Sequence, residues 1–313
     1  MKTLVTGGAG FIGSHLVEKI SSSGDSVNDI ADVTVFDNFS TGKREFLKSA
    51  RCKIIEGDVK DFNLLLDASK GMEEVFHICG DINVRRSIDE PRVNFDTEVI
   101  GTFNLLEACR KNDVKSFAYS SSFWVYGNPA VTPTPEDTPI HPINNYGAAK
   151  AACESFITSY SELYGINSVI FRYTAVMGPR LLARVVHDLY VKLKKNPREL
   201  EIFGDGTQQR GFVHVKDCVD GSLFAKKVAK KPIDVFNVGI HDTITVKEIA
   251  DLLVERMGLE NVNYKFTGGS IGWKGDVSVM VVSSEKLMKL GWKPKFTVRQ
   301  SIIDSIDWLK ENV

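Results

Sequence analysis

The 313-residue chain has few cysteines, almost no net charge and no long apolar run. Its five cysteines are far apart and form no C-x-x-C pair, which argues against a disulfide scaffold or zinc ribbon and favours a reducing compartment. The six histidines are scattered without an H-E-x-x-H motif, so we expect no metal site. With 39 basic and 40 acidic residues, charge gives no reason to expect nucleic acid or membrane binding.

Residues 2–6 lead directly into a glycine-rich stretch, and no segment is apolar enough for a signal peptide or a membrane span. We therefore expect a cytoplasmic protein. The length and the apolar fraction of 43% are typical of a globular protein with one large or two modest domains.

The first half of the chain alternates short apolar runs with amphipathic stretches. Strands are predicted at 2–6, 33–36, 53–56, 75–78, 116–120 and 168–172, and helices at 11–22, 94–111 and 145–164. Such alternation predicts parallel strands joined by right-handed crossovers. The polar residues 21–32 are predicted to form a surface loop.

The pattern changes after residue 179. It predicts helices at 183–195, 244–257 and 283–290, a strand at 235–238, a turn at 204–206 and a loop at 273–276. The predicted fold is α/β, a doubly wound parallel Rossmann sheet with a smaller C-terminal substrate lobe. We assign residues 1–172 to the sheet domain, which 211–240 are expected to rejoin, and residues 173–210 and 241–313 to the lobe.

A glycine motif lies between the first predicted strand and helix. It fits G-x-G-x-x-G from Gly8 and G-x-x-G-x-x-G from Gly7, and both patterns share Gly10 and Gly13. Glycines permit a sharp turn and a close approach by a pyrophosphate, and the helix N-terminus offers N–H groups to it. A ligand-free turn is the alternative, but the strand, helix and downstream acid together predict dinucleotide binding.

The downstream acid is Asp37, at the end of the second predicted strand. A carboxylate there accepts both adenosine ribose hydroxyls and repels a 2′-phosphate, which favours NAD over NADP. A turn before Asn38 is the alternative role. Asp58 and Val59 follow the third strand, where they either contact adenine or have only a structural role.

Tyr146 and Lys150 form a Y-x-x-x-K pair on one face of the helix predicted at 145–164. A tyrosine pKa near 10 is too high for a base at neutral pH, and a neighbouring cation lowers it. Ser122 follows the fifth predicted strand, with Ser120 and Ser121 immediately before it. The Ser122 hydroxyl can share a proton with a substrate oxygen, or it can make only turn hydrogen bonds. For Ser120 and Ser121 we prefer the interpretation as turn hydrogen bonds.

These motifs resemble the extended short-chain dehydrogenase/reductase superfamily, and most closely its UDP-glucose 4-epimerase group within the NAD-dependent epimerase/dehydratase family. The similar stretches span nearly the whole chain: TGGAGFIGSHL at 6–16, DNFSTG at 37–42, VRRSIDEP at 84–91, GTFNLLEAC at 101–109, SSSFWVYG at 120–127, YGAAK at 146–150, RYTAVMGPR at 172–180 and FGDGTQQRGFVHVKD at 203–217.

The resemblance implies catalytic roles for Ser122, Tyr146 and Lys150. It implies that NAD is held by residues of the glycine loop, the strand ends and the catalytic helix: Gly7, Gly10, Phe11, Ile12, Gly13, Asp37, Asn38, Ser40, Gly42, Asp58, Val59, Tyr146, Lys150 and Tyr173. It also implies a set of substrate contacts: Arg85, Ser122, Phe203, Arg210 and Lys274. Phe203 would pack on the nucleotide base and Arg210 would bind the pyrophosphate. A core aromatic and a solvated arginine are the alternatives.

The two positions after Ser122 distinguish the subgroups of the family. Related dehydratases carry an Asp-Glu pair there and decarboxylases a Glu, whereas this chain has Phe123 and Trp124, which exchange no proton at neutral pH. The resemblance therefore implies epimerisation of a UDP-hexose at carbon 4, by a homodimer paired through a four-helix bundle. The alternatives are a net NAD-dependent dehydrogenase or reductase and a non-catalytic NAD-binding interaction protein.

The chain departs from the family pattern at several positions. Ala175 stands where relatives usually carry a phosphate-binding Asn, and Trp273-Lys274 where they commonly carry an Arg, so Lys274 or Arg184 would have to substitute. Glu98 replaces a frequent Asn, and Cys79-Gly80 replaces a usual pair of alanines.

Overall fold

A computed structural model of the chain describes residues 1–22, 32–81, 83–269, 276–277 and 279–313. The strands are β1 Lys2–Thr6, β2 Asp32–Asp37, β3 Lys53–Glu56, β4 Glu74–His77, β5 Ser116–Ser122, β6 Asn167–Tyr173, β7 Ala175–Met177, β8 Glu199–Ile202, β9 Gln209–Arg210, β10 Phe212–His214, β11 Ile233–Val238, β12 Ile244–Thr245, β13 Asn263–Phe266 and β14 Val279–Met280. The α-helices are α1 Phe11–Ser21, α2 Phe62–Ala68, α3 Arg86–Asp89, α4 Pro91–Asn94, α5 Gly101–Lys111, α6 Asn145–Tyr164, α7 Arg184–Lys195, α8 Val215–Val228, α9 Val246–Met257, α10 Glu285–Lys289 and α11 Val298–Asn312.

Seven strands form a parallel sheet in the order β11-β6-β5-β4-β1-β2-β3. The order reverses between β1 and β4, because the chain winds first to one side of β1 and then to the other. This is the doubly wound Rossmann topology that the alternation predicted, and ligands of such sheets lie at the carboxyl ends of the strands at this reversal. The loop after β1 therefore lies where a dinucleotide binds.

The chain divides into two compact units. The first comprises residues 1–127, 139–172 and 222–236, and the second comprises 128–138, 173–221 and 237–313. These boundaries differ from the sequence-based ones at 128–138, 211–221 and 237–240, which all fall in the second unit. Thr134 explains the first difference, because its amide donates to the carbonyl of Val281 and its carbonyl accepts from Ser283.

Local sequence explains why the helix that carries the Y-x-x-x-K pair forms where it does. The Asn144 side chain accepts a hydrogen bond from the amide of Gly147 at 2.8 Å, and Gly165 ends the helix with a φ of 69°. Buried residues along α6, such as Cys153 and Ile157, pack into the core of the first unit. The predicted helix at 145–164 thus has the bounds expected from its sequence.

The helix predicted at 94–111 is instead three consecutive segments. α4 leads into a π-helical segment, Phe95–Ile100, and then into α5. A wider turn adds a residue that a 3.6-residue periodicity does not reveal. Two other helices are shorter than predicted by two residues or more: Ile244–Thr245 is a strand rather than helix, and α10 covers only Glu285–Lys289.

In the second unit, α11 packs against α7 and α9, and short strands pair as β7 with β10, β8 with β13, and β12 with β9 and β14. Sequence reasoning missed these short strands, although it predicted β11 of the large sheet, and it missed α2, α3, α8, α11 and most of α4. Most of the predicted loop at 21–32, and residues 273–275 of the other predicted loop, lie outside the described residues. Within the described part of the chain, no helix combines the length and apolar character that a membrane span needs.

Candidate active site

The loop after β1 is shaped so that only glycine fits at its key positions. Gly7 has a φ of +71°, and its amide donates to the carbonyl of Phe36 at 2.8 Å. A Cβ on Gly13 would lie 2.0 Å from the Gly7 carbonyl oxygen. The N-cap of α1 is Gly10, which has no side chain to occupy the first N–H groups. The helix therefore presents a cradle with free backbone donors, which fits a pyrophosphate.

Asp37 ties the end of β2 to this loop. Its Oδ2 accepts from the amide of Ala9 at 2.9 Å and its Oδ1 from the amide of Phe39 at 2.8 Å. Burial raises the pKa of the Asp37 carboxyl, although these two backbone donors oppose the shift. Each oxygen keeps a second acceptor site, which suits a pair of ribose hydroxyls.

The remaining predicted cofactor contacts of this region cluster at the ends of β2 and β3. Asn38 Nδ2 donates to Asp58 Oδ2 at 3.1 Å, and the Ser40 amide donates to Asn38 Oδ1 at 3.0 Å. A Cβ on Gly42 would lie 2.9 Å from Ala9, and Val59 is buried. The structure thus brings Asn38, Ser40, Gly42 and Asp58 to the same edge of the sheet as the glycine loop, where they fit an adenosine. Phe11 and Ile12 form the first turn of α1.

We predict that the protein binds NAD more tightly than NADP and that Asp37→Asn narrows the difference. The Asp37 carboxylate repels a 2′-phosphate, and the nearby solvent limits the effect to a few kcal/mol at most. Calorimetry with both nucleotides measures the ratio. Asp32→Asn, at the half-buried start of the same strand, is the matched control and should leave the ratio unchanged. Equal or tighter NADP binding by the unmodified protein would contradict the assignment of Asp37 as the residue that selects NAD over NADP.

Tyr146 and Lys150 lie on the first turns of α6, and both side chains are buried. The Lys150 Nζ is 5.8 Å from the centre of the Tyr146 ring, donates to the Ser120 carbonyl at 2.9 Å and lies 2.8 Å from Glu98 Oε2. Burial alone lowers the pKa of Lys150, but the Glu98 carboxylate and the Tyr146 phenol more than offset this and hold the pKa above its usual value. The phenol therefore faces a permanently charged ammonium.

Ser122 is the last residue of β5, two residues beyond the predicted strand end. Its Oγ accepts a long hydrogen bond of 3.4 Å from the Trp124 amide. Phe123 and Trp124 are both buried, with their ring centres 6.2 Å apart. The positions that follow the serine thus hold packed aromatic rings and no acid or base.

A buried ion pair that sequence reasoning missed supports the end of β5. Glu154 accepts from the Ser121 hydroxyl at 2.5 Å and from Arg172 Nη2 at 2.7 Å, and Arg172 Nη1 donates to the Tyr126 hydroxyl at 2.9 Å. A sequence signal existed, because Glu154 is four residues after Lys150 and so lies on the same side of α6. The Ser121 hydroxyl is therefore part of this buried network.

The second unit contains Phe203 and Arg210. The Phe203 ring is 41% exposed, and Lys192 Nζ lies 4.4 Å from its centre, so it is not a core aromatic. Arg210 is not a solvated arginine either. It makes two hydrogen bonds to Asp276, at 2.9 and 3.1 Å, and one to the Val277 carbonyl at 3.0 Å.

The other predicted site residues are placed as follows. Tyr173 is buried at the end of β6, and Arg85 is exposed immediately before α3. Ala175 is buried on β7, and Arg184 begins α7 with a φ of +70°. Trp273 and Lys274 lie outside the described residues. In the described ranges, no three His, Cys, Asp or Glu side chains are grouped to hold a metal ion.

The fold and the first unit's site define a Rossmann-type dinucleotide enzyme with a tyrosine–lysine pair. The family model described as the NAD-dependent epimerase/dehydratase family matches residues 3–239, and the chain belongs to that family. Its cofactor is NAD.

Three similar proteins show the range of the family. The UDP-glucose 4-epimerase of Corynebacterium glutamicum is 32% identical, over 97% of this chain and 94% of its own. The crystal structure of a Thermotoga maritima UDP-glucose 4-epimerase with UDP-glucose is 34% identical, covers 99% of both chains and has a TM-score of 0.88. A dTDP-glucose 4,6-dehydratase from Streptomyces venezuelae with NAD bound is 26% identical, covers 100% of this chain and 98% of its own, and has a TM-score of 0.90.

Proposed function

We propose that the protein epimerises a UDP-hexose at carbon 4 and interconverts UDP-glucose and UDP-galactose. The observation that carries the proposal is a buried tyrosine–lysine pair whose lysine binds β5, a strand that ends in a serine followed by two packed aromatic rings. The pair supplies one acid/base group for a hydroxyl. Dehydration needs a further acid and base, and Phe123 and Trp124 offer neither.

Tyr146 is the proposed acid/base. The Lys150 ammonium favours the phenolate, which accepts the proton of the sugar's 4-hydroxyl. NAD held by the glycine loop and Asp37 would supply the hydride acceptor for carbon 4 and the hydride that restores the sugar. Tyr146 then gives its proton back to the 4-keto oxygen, so the cycle needs no net redox change. The Ser122 hydroxyl donates to the same sugar oxygen and orients it.

Phe203 and Arg210 are proposed to bind the nucleotide. An exposed ring that already attracts the Lys192 cation offers a face for a uracil. The Arg210 guanidinium is held by Asp276 in a fixed orientation, and its planar donors suit a pyrophosphate. The similar Thermotoga protein was solved with UDP-glucose, which supports the choice of a UDP-sugar.

The direct test incubates UDP-glucose with the purified protein and follows UDP-galactose by NMR without added reductant. We expect interconversion to equilibrium. The contrary result is steady NADH production with no interconversion of UDP-glucose, UDP-N-acetylglucosamine, UDP-glucuronate or UDP-xylose. It would show that the protein is a net dehydrogenase and not an epimerase. Mass spectrometry of nucleotides released on denaturation identifies any cofactor and substrate that purify with the protein.

We also propose that the protein is a homodimer paired through the helices around α5 and α6. Several large apolar side chains on these helices are exposed: Phe95, Phe103, Phe156, Leu163 and Tyr164. A second copy would cover them, and twofold pairs are the commonest oligomers. Light scattering should give twice the 34.8 kDa chain mass, and Phe103→Glu should weaken the dimer. A single-chain mass at micromolar concentration would contradict the proposal.

We further propose a cytoplasmic location. All five cysteines are free, and three of them, Cys109, Cys153 and Cys218, are buried as thiols, which fits a reducing compartment. Fractionation of cells that express the tagged protein tests this, and recovery in an oxidising or membrane fraction would contradict it.

A further inference from the structure

Beneath the catalytic lysine lies a carboxylate that the proposed mechanism does not use. Glu98 Oε2 is 2.8 Å from Lys150 Nζ, and the two side chains are 0% and 3% exposed. A carboxylate so deeply buried is stable only beside a compensating charge. The position therefore couples Glu98 directly to the group that makes Tyr146 a base.

Gly80 makes room for this carboxylate. A Cβ on Gly80 would lie 2.4 Å from Glu98 Oε1 and 3.1 Å from its Cδ, so even alanine would displace the side chain. Two departures from the family pattern, the glycine after β4 and the acid at position 98, are therefore one structural feature. An asparagine at 98 is shorter by one methylene and does not need the same space.

The π-helical segment places Glu98 against α6. Glu98 lies in the middle of Phe95–Ile100, and its carbonyl accepts a hydrogen bond from the Cys153 thiol at 3.2 Å. Cys153 is three residues beyond Lys150 on α6. Both the backbone and the side chain of Glu98 thus dock on the turn that carries the lysine, and π segments often mark functional positions.

We propose that Glu98 is a positioning residue which fixes the Lys150 ammonium and offsets its charge, and so sets the pH range in which Tyr146 exchanges a proton. The inference rests on the proposed function, because it assigns Tyr146 as the acid/base. It goes beyond that function because it adds the Glu98 carboxylate to the tyrosine–lysine pair that the Y-x-x-x-K motif describes.

The charge states of the groups around Lys150 and Glu98 determine the direction in which the pH profile should move when Glu98 is neutralised. His77, between Thr6 and Thr102, stays neutral, because burial and then Lys150 lower its pKa to about 3. Cys79 and Cys153 also stay neutral, because burial and then Glu98 raise the pKa of each thiol. Burial likewise raises the pKa of Tyr119. Asp81 is the further acid that acts on Glu98.

Neutralising Glu98 therefore leaves Lys150 as the dominant charge beside Tyr146. The phenolate becomes easier to form, so the acidic limb of the kcat profile moves to lower pH. The ammonium loses the carboxylate that holds its proton, so the basic limb moves to lower pH as well. Because the Glu98 carboxylate lies 2.8 Å from the Lys150 Nζ and both side chains are buried, we expect limb shifts of about one pH unit or more.

The experiment compares Glu98→Gln with Glu74→Gln. Glu74 is an equally buried glutamate at the start of β4, paired with Lys226 at the opposite edge of the sheet. The same substitution there removes a buried charge at a similar cost in stability but far from Lys150. We expect both limbs to move in the first variant and neither in the second. Unmoved limbs in Glu98→Gln, or equal shifts in both variants, would overturn the inference.

A second readout does not depend on turnover. Near-ultraviolet absorbance measures tyrosinate, and subtraction of the Tyr146→Phe spectrum isolates the Tyr146 titration. It should shift to lower pH when Glu98 is neutralised, whether or not any UDP-sugar is turned over. If the titration shifts but no substrate reacts, the proposed function fails and the charge coupling stands. If turnover occurs and the titration is unmoved, the inference fails and the proposed function stands.

A double-mutant cycle covers the case in which Glu98→Gln does not fold. Gly80→Ala should lower thermal stability and kcat by displacing Glu98, whereas Gly80→Ala combined with Glu98→Asn should recover stability. The recovered protein should show the shifted tyrosinate titration, because it lacks the carboxylate. Additive effects of the two substitutions, or a recovered protein with the original titration, would contradict the link between Gly80 and Glu98.

Discussion

Tyr146→Phe should slow the hydride step about 10²–10⁴-fold, the usual contribution of a general acid/base group. The substitution removes only the phenol oxygen, so the ring still fills its buried position on α6. NAD binding should be nearly unchanged, because the glycine loop and Asp37 are untouched. Single-turnover formation of NADH measures the step, and calorimetry measures NAD affinity.

Tyr160→Phe is the matched control. Tyr160 lies on the same helix, and its hydroxyl donates to Glu107 at 2.6 Å, away from the pair. It should change activity little. Ser122→Ala should cost less than Tyr146→Phe, since a water can replace its hydroxyl. A Tyr146→Phe enzyme within about a factor of two of the unmodified protein would mean that another group is the base.

Arg210→Ala should raise the KM for the nucleotide sugar by roughly one to two powers of ten, with a smaller effect on kcat. Loss of a hydrogen bond to a charged group costs about 1.5–3 kcal/mol, which corresponds to that change in affinity. Equilibrium dialysis with UDP alone should show the same loss, because the contact is to the nucleotide and not to the sugar.

The control for Arg210 must separate a loss of UDP binding from a loss of folding. Removal of the guanidinium leaves the buried Asp276 carboxylate without its counter-charge, which destabilises the fold. Asp276→Asn leaves the arginine in place and removes its counter-charge, so it should lower thermal stability while UDP binding persists. If Arg210→Ala leaves UDP affinity unchanged, Arg210 does not bind the pyrophosphate.

The glycine loop and the pair on α6 were predictable because each depends on residues close in sequence. The glycine spacing indicates the backbone conformation of the loop at Gly7, Gly10 and Gly13. The four-residue spacing on a helix places the two side chains of the pair on one face. The doubly wound parallel sheet was likewise predictable from the alternation of strands and helices.

The rest depended on contacts between distant residues. The ion pair of Glu98 with Lys150 joins positions 52 residues apart, through a π segment that periodicity reads as an ordinary helix. In the second unit, β9, β12 and β14 are two residues long and exist only because they pair with one another. No local pattern distinguishes such strands from loops.

The most direct test of the account follows the hydrogen at carbon 4. UDP-glucose deuterated at that carbon is incubated with the enzyme in ordinary water, and the products are read by NMR and mass spectrometry. Tyr146 exchanges only the hydroxyl proton, so the account predicts UDP-galactose that keeps its deuterium at carbon 4, without accumulation of NADH. Loss of the label to solvent, its appearance at another carbon, or an oxidised sugar with stoichiometric NADH would contradict epimerisation by hydride return.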